Sequence, residues 1–207
     1  MDNNLKNKMS LYAITDRAWL GERTLVEQVR EALEGGASII QLREKNLDYD
    51  TFLKDALELK KLCHQYNAPL IINDNVEIAK AVDADGVHVG QKDMNPTEVR
   101  TILGEDKIIG VSARNVQQAF LAELAGASYL GVGAVFPTGT KDDAKVIDFE
   151  TLKSISEAVN IPIVAIGGIS KDNLRQLKGS QIAGVAVVSA ILAQDDIKGA
   201  AEELKGL

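Results

Sequence analysis

Eight short runs rich in β-branched residues alternate with eight amphipathic stretches, and the runs end again and again in polar residues or glycines. Together these observations predict an α/β protein, a single (β/α)8 TIM barrel. The runs include SIIQLREK at 38–45, PLIINDN at 69–75, GVHVGQKD at 86–93, IIGVSAR at 108–114, YLGVGAVFPTGTK at 129–141, PIVAIGGI at 162–169 and GVAVVSAI at 184–191. Near-continuous apolar runs of this length suit parallel strands buried on both faces. Their polar ends then meet on the one barrel face where such proteins build active sites.

Taken in order, LYAIT at 11–15 follows a polar leader (1–10) and reads as the first strand. TLVEQVREALEGG has helical periodicity and is closed by Gly35 and Gly36. The pattern recurs as strand 38–43 and helix 50–66, strand 69–73 and helix 75–82, then strand 86–90 and helix 96–103. Strand 107–112 precedes helix 115–125, strand 128–134 precedes helix 149–158, strand 161–166 precedes helix 170–178, and strand 183–188 precedes helix 195–205. No linker or low-complexity segment interrupts the alternation, so residues 1–207 read as one domain. The stretch 135–148 is long for a βα connection and rich in Gly, Pro and Thr, which marks it as a lid candidate.

Composition narrows the function classes. A net charge of −7 disfavours nucleic-acid and anionic-membrane partners, because a phosphate backbone demands a basic surface. Any phosphate must be met by a local basic cluster. The single cysteine, Cys63, forms no internal disulfide, MDNNLKNKMS lacks the apolar core of a signal peptide, and no apolar run is long enough to span a bilayer. A cytoplasmic protein is the expectation.

In an extended segment Gln41, Arg43 and Lys45 share one face, and Ile40, Leu42 and Glu44 the other. A planar donor fork, a point charge and a neutral donor suit a phosphate or pyrophosphate. The competing reading pairs Arg43 with a carboxylate of a neighbouring strand. Ligand binding is preferred because two like cations on one inward face repel unless an anion joins them. Asn73 and Asp74 end the third strand, and Asp93 lies three residues beyond Gly90 at the end of the fourth. Two hard carboxylates from adjacent tips suit Mg²⁺, and the competing reading makes each a helix cap. Ser112 ends the fifth strand as a donor to a leaving phosphate or as an N-cap. Thr138, Gly139, Thr140 and Lys141 form either a lid that closes over an anion or a solvated turn. Gly167 and Gly168 after strand seven, with Val188 and Ser189 after strand eight, fall where barrels commonly seat a monophosphate. His88 has inward parity and reads as a barrel-lining residue. Cys63 and His64 read as structural or exposed, and Asp16, Trp19 and Asn173 line the mouth or cap local backbone. No nucleophile, base and orienter set is legible.

Taken together, these residues resemble the thiamine-phosphate synthase family from ITD at 14–16 to VVSAI at 187–191. The Gln-x-Arg-x-Lys is Gln41, Arg43 and Lys45, the Asn-Asp is Asn73 and Asp74, the second metal aspartate is Asp93, and the lid is Thr138 to Lys141. The resemblance implies a transferase, acting in thiamine biosynthesis, that joins 4-amino-2-methyl-5-hydroxymethylpyrimidine diphosphate to 4-methyl-5-(2-phosphoethyl)thiazole, releasing thiamine phosphate and pyrophosphate. It implies Mg²⁺ on Asp74 and Asp93. It implies pyrimidine diphosphate held by the segment Gln41, Leu42, Arg43, Glu44 and Lys45 with Asn73, Ser112 and Lys141, and catalytic roles for Arg43, Lys45, Ser112 and Lys141. Thiazole phosphate would be held by Thr138, Gly139, Thr140, Gly168, Val188 and Ser189. Two small phosphorylated substrates, no nucleic acid, no membrane and a homodimer complete the expectation. Ala134, Lys92 and Arg114 depart from the family's frequent proline, acid and histidine. The rivals are a thiazole tautomerase-like barrel, a sugar-phosphate isomerase and a non-catalytic barrel that binds thiamine precursors.

Overall fold

The computed structural model describes residues 3–139 and 145–205. Eight parallel strands close a barrel in chain order: β1 (Leu11–Ile14), β2 (Ile39–Leu42), β3 (Leu70–Asn73), β4 (Gly86–Val89), β5 (Ile108–Ala113), β6 (Tyr129–Gly133), β7 (Ile163–Ile166) and β8 (Gly184–Val187). Closure comes from β1 pairing with β8 through Tyr12 and Ala186. The helices are α1 (Asn3–Asn7), α2 (Leu25–Glu34), α3 (Tyr49–Gln65), α4 (Val76–Ala81), α5 (Pro96–Leu103), α6 (Val116–Leu124), α7 (Phe149–Ala158), α8 (Ser189–Leu192) and α9 (Ile197–Lys205).

Alternation along each strand sorts side chains into two cores. Leu11, Ala13, Ile40, Leu42, Leu70, Ile72, Val87, Val89, Val185 and Val187 point outward and pack under the helices. Each large aliphatic chain there contributes about 1.5–3 kcal/mol by burial. Tyr12, Ile14, Ile39, Ile71, Tyr129, Val164 and Ala186 point inward and fill the barrel. Met9 belongs to the inner cluster and Leu5 packs against it, so the leader, expected only to be polar, contributes α1 and a plug beneath the barrel.

Capping explains where the helices begin. Thr24 accepts from the Glu27 N–H while Glu27 accepts from the Thr24 N–H, a capping box that starts α2. Asp48, Asn75, Asn95, Asn115 and Asp148 cap α3, α4, α5, α6 and α7 through their side chains.

Two predicted helices differ from what forms. The expected helix 170–178 is only a 3₁₀ turn at Leu174–Leu177. The Asn173 side chain competes for local backbone: its amide donates to the Gly168 carbonyl at 2.8 Å and its oxygen accepts from the Ser170 N–H at 2.8 Å. The expected helix 195–205 is confined to α9, and a separate single turn, α8, follows β8 directly. A four-residue helix is too short to have a legible 3.6-residue period.

Candidate active site

The strand ends converge on a cavity of ≈ 740 Å³ at the mouth of the barrel, large enough for two small ligands. Gln41, Arg43, Asn73 and Ser112 line one part of it, and Thr138, Gly139, Gly168, Val188 and Ser189 line another. Trp19 and Arg114 also contribute. Among the described residues no helix is long and apolar enough to cross a membrane.

Inward parity brings Gln41 and Arg43 to this cavity, as the extended spacing predicts. The Arg43 N–H donates to the Thr15 hydroxyl at 3.0 Å, and its guanidinium pairs with Asp16 at 3.4 Å. The ion-pair reading of Arg43 therefore holds alongside its place in the cavity wall. Asp16 also caps the 3₁₀ turn Arg17–Trp19 through the Ala18 N–H. Lys45 is exposed beyond the end of β2. The structure does not bring the side chains of Leu42 and Glu44 into the cavity. Leu42 packs in the outer core, and the Glu44 carboxylate lies against the Arg17 guanidinium at 2.9 Å with only 4% of its side chain accessible. Burial raises the Glu44 carboxyl above its ordinary range, with Arg17 opposing the shift. The reason for both placements is the period of two that turns Gln41 and Arg43 inward.

The capping readings of Asp74, Asp93 and Ser112 are overturned, because Asn75, Asn95 and Asn115 take those positions. Asp74 adopts φ 61° at the tip of β3, its N–H bonded to the His88 carbonyl of β4 at 2.8 Å. Its carboxylate accepts from the Asn73 amide at 2.7 Å. The Asp93 carboxylate accepts from the Gly90 N–H at 2.7 Å and so closes the turn after β4. Both side chains are exposed. Among the described residues there is no group of three or more His, Cys, Asp or Glu that could cage a metal. A pair of hard carboxylates on adjacent strand tips nonetheless fits Mg²⁺, which takes one or two carboxylates and leaves its other positions to water and phosphate.

Ser112 faces inward from β5, and its hydroxyl lies 2.9 Å from His88 Nε2. His88 Nδ1 lies 2.9 Å from the Tyr129 hydroxyl, which is 2.7 Å from the Tyr12 hydroxyl, and the Gln41 amide donates to Tyr12 at 2.8 Å. No nucleophile and base pair was legible in the sequence, yet the fold brings Ser112 and His88 together. The two buried tyrosines are the residues sequence reading missed. Their inward parity was a usable signal, since a phenol inside a barrel needs a hydrogen-bond partner. Burial raises both phenols above the usual tyrosine range, so they remain protonated donors.

On either side of 140–144, the described residues of the lid candidate are tied to neighbouring backbone. The Phe136 N–H donates to the Gly167 carbonyl at 3.0 Å, and the Ile147 N–H to the Ala134 carbonyl at 2.8 Å. Thr140 and Lys141 lie outside the described residues. Gly168 has φ 65°, and a Cβ there would come within 2.3 Å of the Pro137 carbonyl oxygen, so the loop after β7 and the segment after β6 approach backbone to backbone. Cys63 is fully buried, with burial pushing its thiol up to about 12.

The family model described as thiamine monophosphate synthase matches residues 11–191. The thiamine-phosphate synthase of Clostridium tetani is 52% identical over 197 residues, covering 95% of this chain and 94% of that protein. That of Clostridium novyi is 49% identical over 208 residues, covering 100% of each. The solved structure of thiamine phosphate pyrophosphorylase from Pyrococcus furiosus superposes with a TM-score of 0.91 at 45% identity, covering 98% of this chain and 96% of that one. With the same barrel, and with identity near half over nearly its whole length, the chain belongs to the thiamine monophosphate synthase family, an enzyme family of transferases.

Proposed function

We propose that the chain condenses 4-amino-2-methyl-5-hydroxymethylpyrimidine diphosphate with 4-methyl-5-(2-phosphoethyl)thiazole to give thiamine phosphate and pyrophosphate, with Mg²⁺ as its metal. The observation that carries this reading is that Gln41, Arg43, Asn73 and Ser112 share one cavity with Gly168, Val188 and Ser189. One continuous space thus offers a polar and cationic end for a diphosphate and a glycine-rich end for a monophosphate.

Asp74 and Asp93 would hold the Mg²⁺, which supplies charge neutralisation for the diphosphate. Arg43, Lys45 and Lys141 supply fixed positive charge as the carbon–oxygen bond to the methylene breaks and its electron pair leaves with pyrophosphate. The electron-rich aminopyrimidine carries the resulting methylene cation, and the thiazole nitrogen donates its lone pair to form the new carbon–nitrogen bond. The chain needs no nucleophile of its own. Cys63, buried and protonated, offers none. What the residues contribute is orientation of two partners and exclusion of water, with Thr138 to Lys141 as the closing segment. The cytoplasm is the compartment we infer, and a homodimer the assembly.

The test combines the two purified substrates with the protein, in Mg²⁺ and in EDTA. Thiamine phosphate that forms with Mg²⁺ and is abolished by EDTA supports the reading. Absence of product while each substrate still binds would replace it with a tautomerase-like or precursor-binding barrel.

A further inference from the structure

The hydrogen bonds from Gln41 to Ser112 beneath the cavity run in one direction. The Gln41 amide nitrogen carries only donors, so Tyr12, at 2.8 Å, accepts from it. Tyr12 is 1% exposed, and the acceptor in reach of its own proton is Tyr129 at 2.7 Å. Leaving that proton unbonded inside the barrel would carry the penalty of a buried unsatisfied donor. Tyr129, fully buried, has then received one bond and gives its proton to His88 Nδ1 at 2.9 Å. A neutral imidazole whose Nδ1 accepts carries its hydrogen on Nε2, which donates to Ser112 at 2.9 Å. The Ser112 hydroxyl, having accepted, has its own proton to give to whatever occupies the cavity it lines.

We propose that Gln41, Tyr12, Tyr129 and His88 form a one-way hydrogen-bond relay that holds His88 as the Nε2–H tautomer and fixes Ser112 as a hydrogen-bond donor to the substrate. Tyr12, Tyr129 and His88 are positioning residues, and Ser112 is the group that touches the ligand. The barrel accommodates the relay with glycines at the inward positions beside it. A Cβ at Gly110 would lie 2.3 Å from the Tyr129 hydroxyl, and one at Gly131 would lie 3.0 Å from His88 Cε1. The polarity also decides between two chemistries for the Ser112 and His88 pair. With its hydrogen on Nε2, His88 cannot take the serine proton, so Ser112 does not act as a nucleophile, and its hydroxyl serves instead as a fixed donor to an acceptor oxygen. The identity of that acceptor as a diphosphate oxygen rests on the function proposed above, whereas the relay itself does not.

The protein labelled with [¹⁵N]histidine contains two histidines, His64 and His88, and long-range ¹H–¹⁵N correlation spectra assign the tautomer of each. The His64→Gln variant identifies the His88 signals. The expected pattern has a protonated Nε2 and an unprotonated Nδ1 for His88 in the wild-type chain, and the opposite pattern overturns the proposal without any variant of the relay. In Tyr129→Phe the donor to Nδ1 is gone. A mixture of His88 tautomers is then expected, together with a kcat lowered about two- to tenfold and KM values little changed, as befits the loss of one hydrogen bond expressed in the transition state. A folded Tyr129→Phe protein that keeps the pure Nε2–H tautomer and wild-type kcat overturns the relay. Wild-type protein that shows the expected tautomer yet makes no thiamine phosphate would refute the proposed reaction and leave the relay standing.

Discussion

Replacing Gly168 by alanine tests whether the loop after β7 and the start of the segment after β6 form one rigid unit. Gly168 has φ 65°, where an L-residue with a side chain is disfavoured by about 1–2 kcal/mol. The added Cβ would lie 2.3 Å from the Pro137 carbonyl oxygen and 2.8 Å from that of Phe136, and neither is the end of a flexible side chain. Ordinary carbon–oxygen contacts are near 3.3–3.6 Å, so the Phe136–Pro137 backbone must retreat by roughly 1 Å. Overpacking of this kind adds about 1–3 kcal/mol, for a total of roughly 2–5 kcal/mol. At roughly 2–4 °C per kcal/mol for a domain of this size, the melting temperature should fall by about 4 to 20 °C. Because Thr138 and Gly139 move with the displaced segment, the KM for the thiazole phosphate should also rise, by about tenfold if only 1.4 kcal/mol of the strain is felt in binding. Gly139→Ala is the stability control, since a Cβ there meets nothing within 4 Å. A Gly168→Ala protein that melts within about 1 °C of wild type and retains its KM would refute the claimed backbone contact, given the scale above.

Further outcomes follow from the same geometry. Asp74→Ala should abolish most Mg²⁺-dependent turnover, measured as thiamine phosphate formed against Mg²⁺ concentration, and wild-type rates at ordinary Mg²⁺ would refute the metal assignment. Lys141→Ala should reduce turnover more than thiazole-phosphate binding, and unchanged turnover would remove its leaving-group role. The Cys63 thiol and the Tyr12 and Tyr129 phenols all have raised values in the folded chain because burial disfavours their anions. Their stabilising contribution is complete below the unfolded values of 9.0 and 10.0 and is lost as pH climbs toward the folded ones. The unfolding free energy, followed by urea denaturation, should therefore fall above about pH 9, with a slope of up to about 1.4 kcal/mol per pH unit for each group. A free energy that stays flat across that range would contradict their burial. In the same window the thiol of folded protein should resist alkylation until the chain unfolds.

The sequence by itself determined the eight strands and most of the helices between them, because a period of two and a period of 3.6 are local properties of a chain. Parity alone placed Gln41, Arg43 and His88 on the inward face, and turned Leu42 away. The adjacent tips bearing Asp74 and Asp93 were legible for the same reason, since neighbouring strands in a barrel follow chain order. Tertiary structure decided what inward residues meet. Tyr12 and Tyr129 are separated by 117 positions, and only closure of the barrel brings their hydroxyls to 2.7 Å. Likewise Ser112 and His88, on adjacent strands, share a hydrogen bond whose length depends on register and ring rotation. Nor could a sequence pattern reveal that asparagines would supersede Asp74, Asp93 and Ser112 as caps, or that Asn173 would bind the Gly168 carbonyl and cut the expected helix to a 3₁₀ turn. Those outcomes are competitions among nearby polar groups for the same backbone partners, and a distance of one or two ångströms settles each of them.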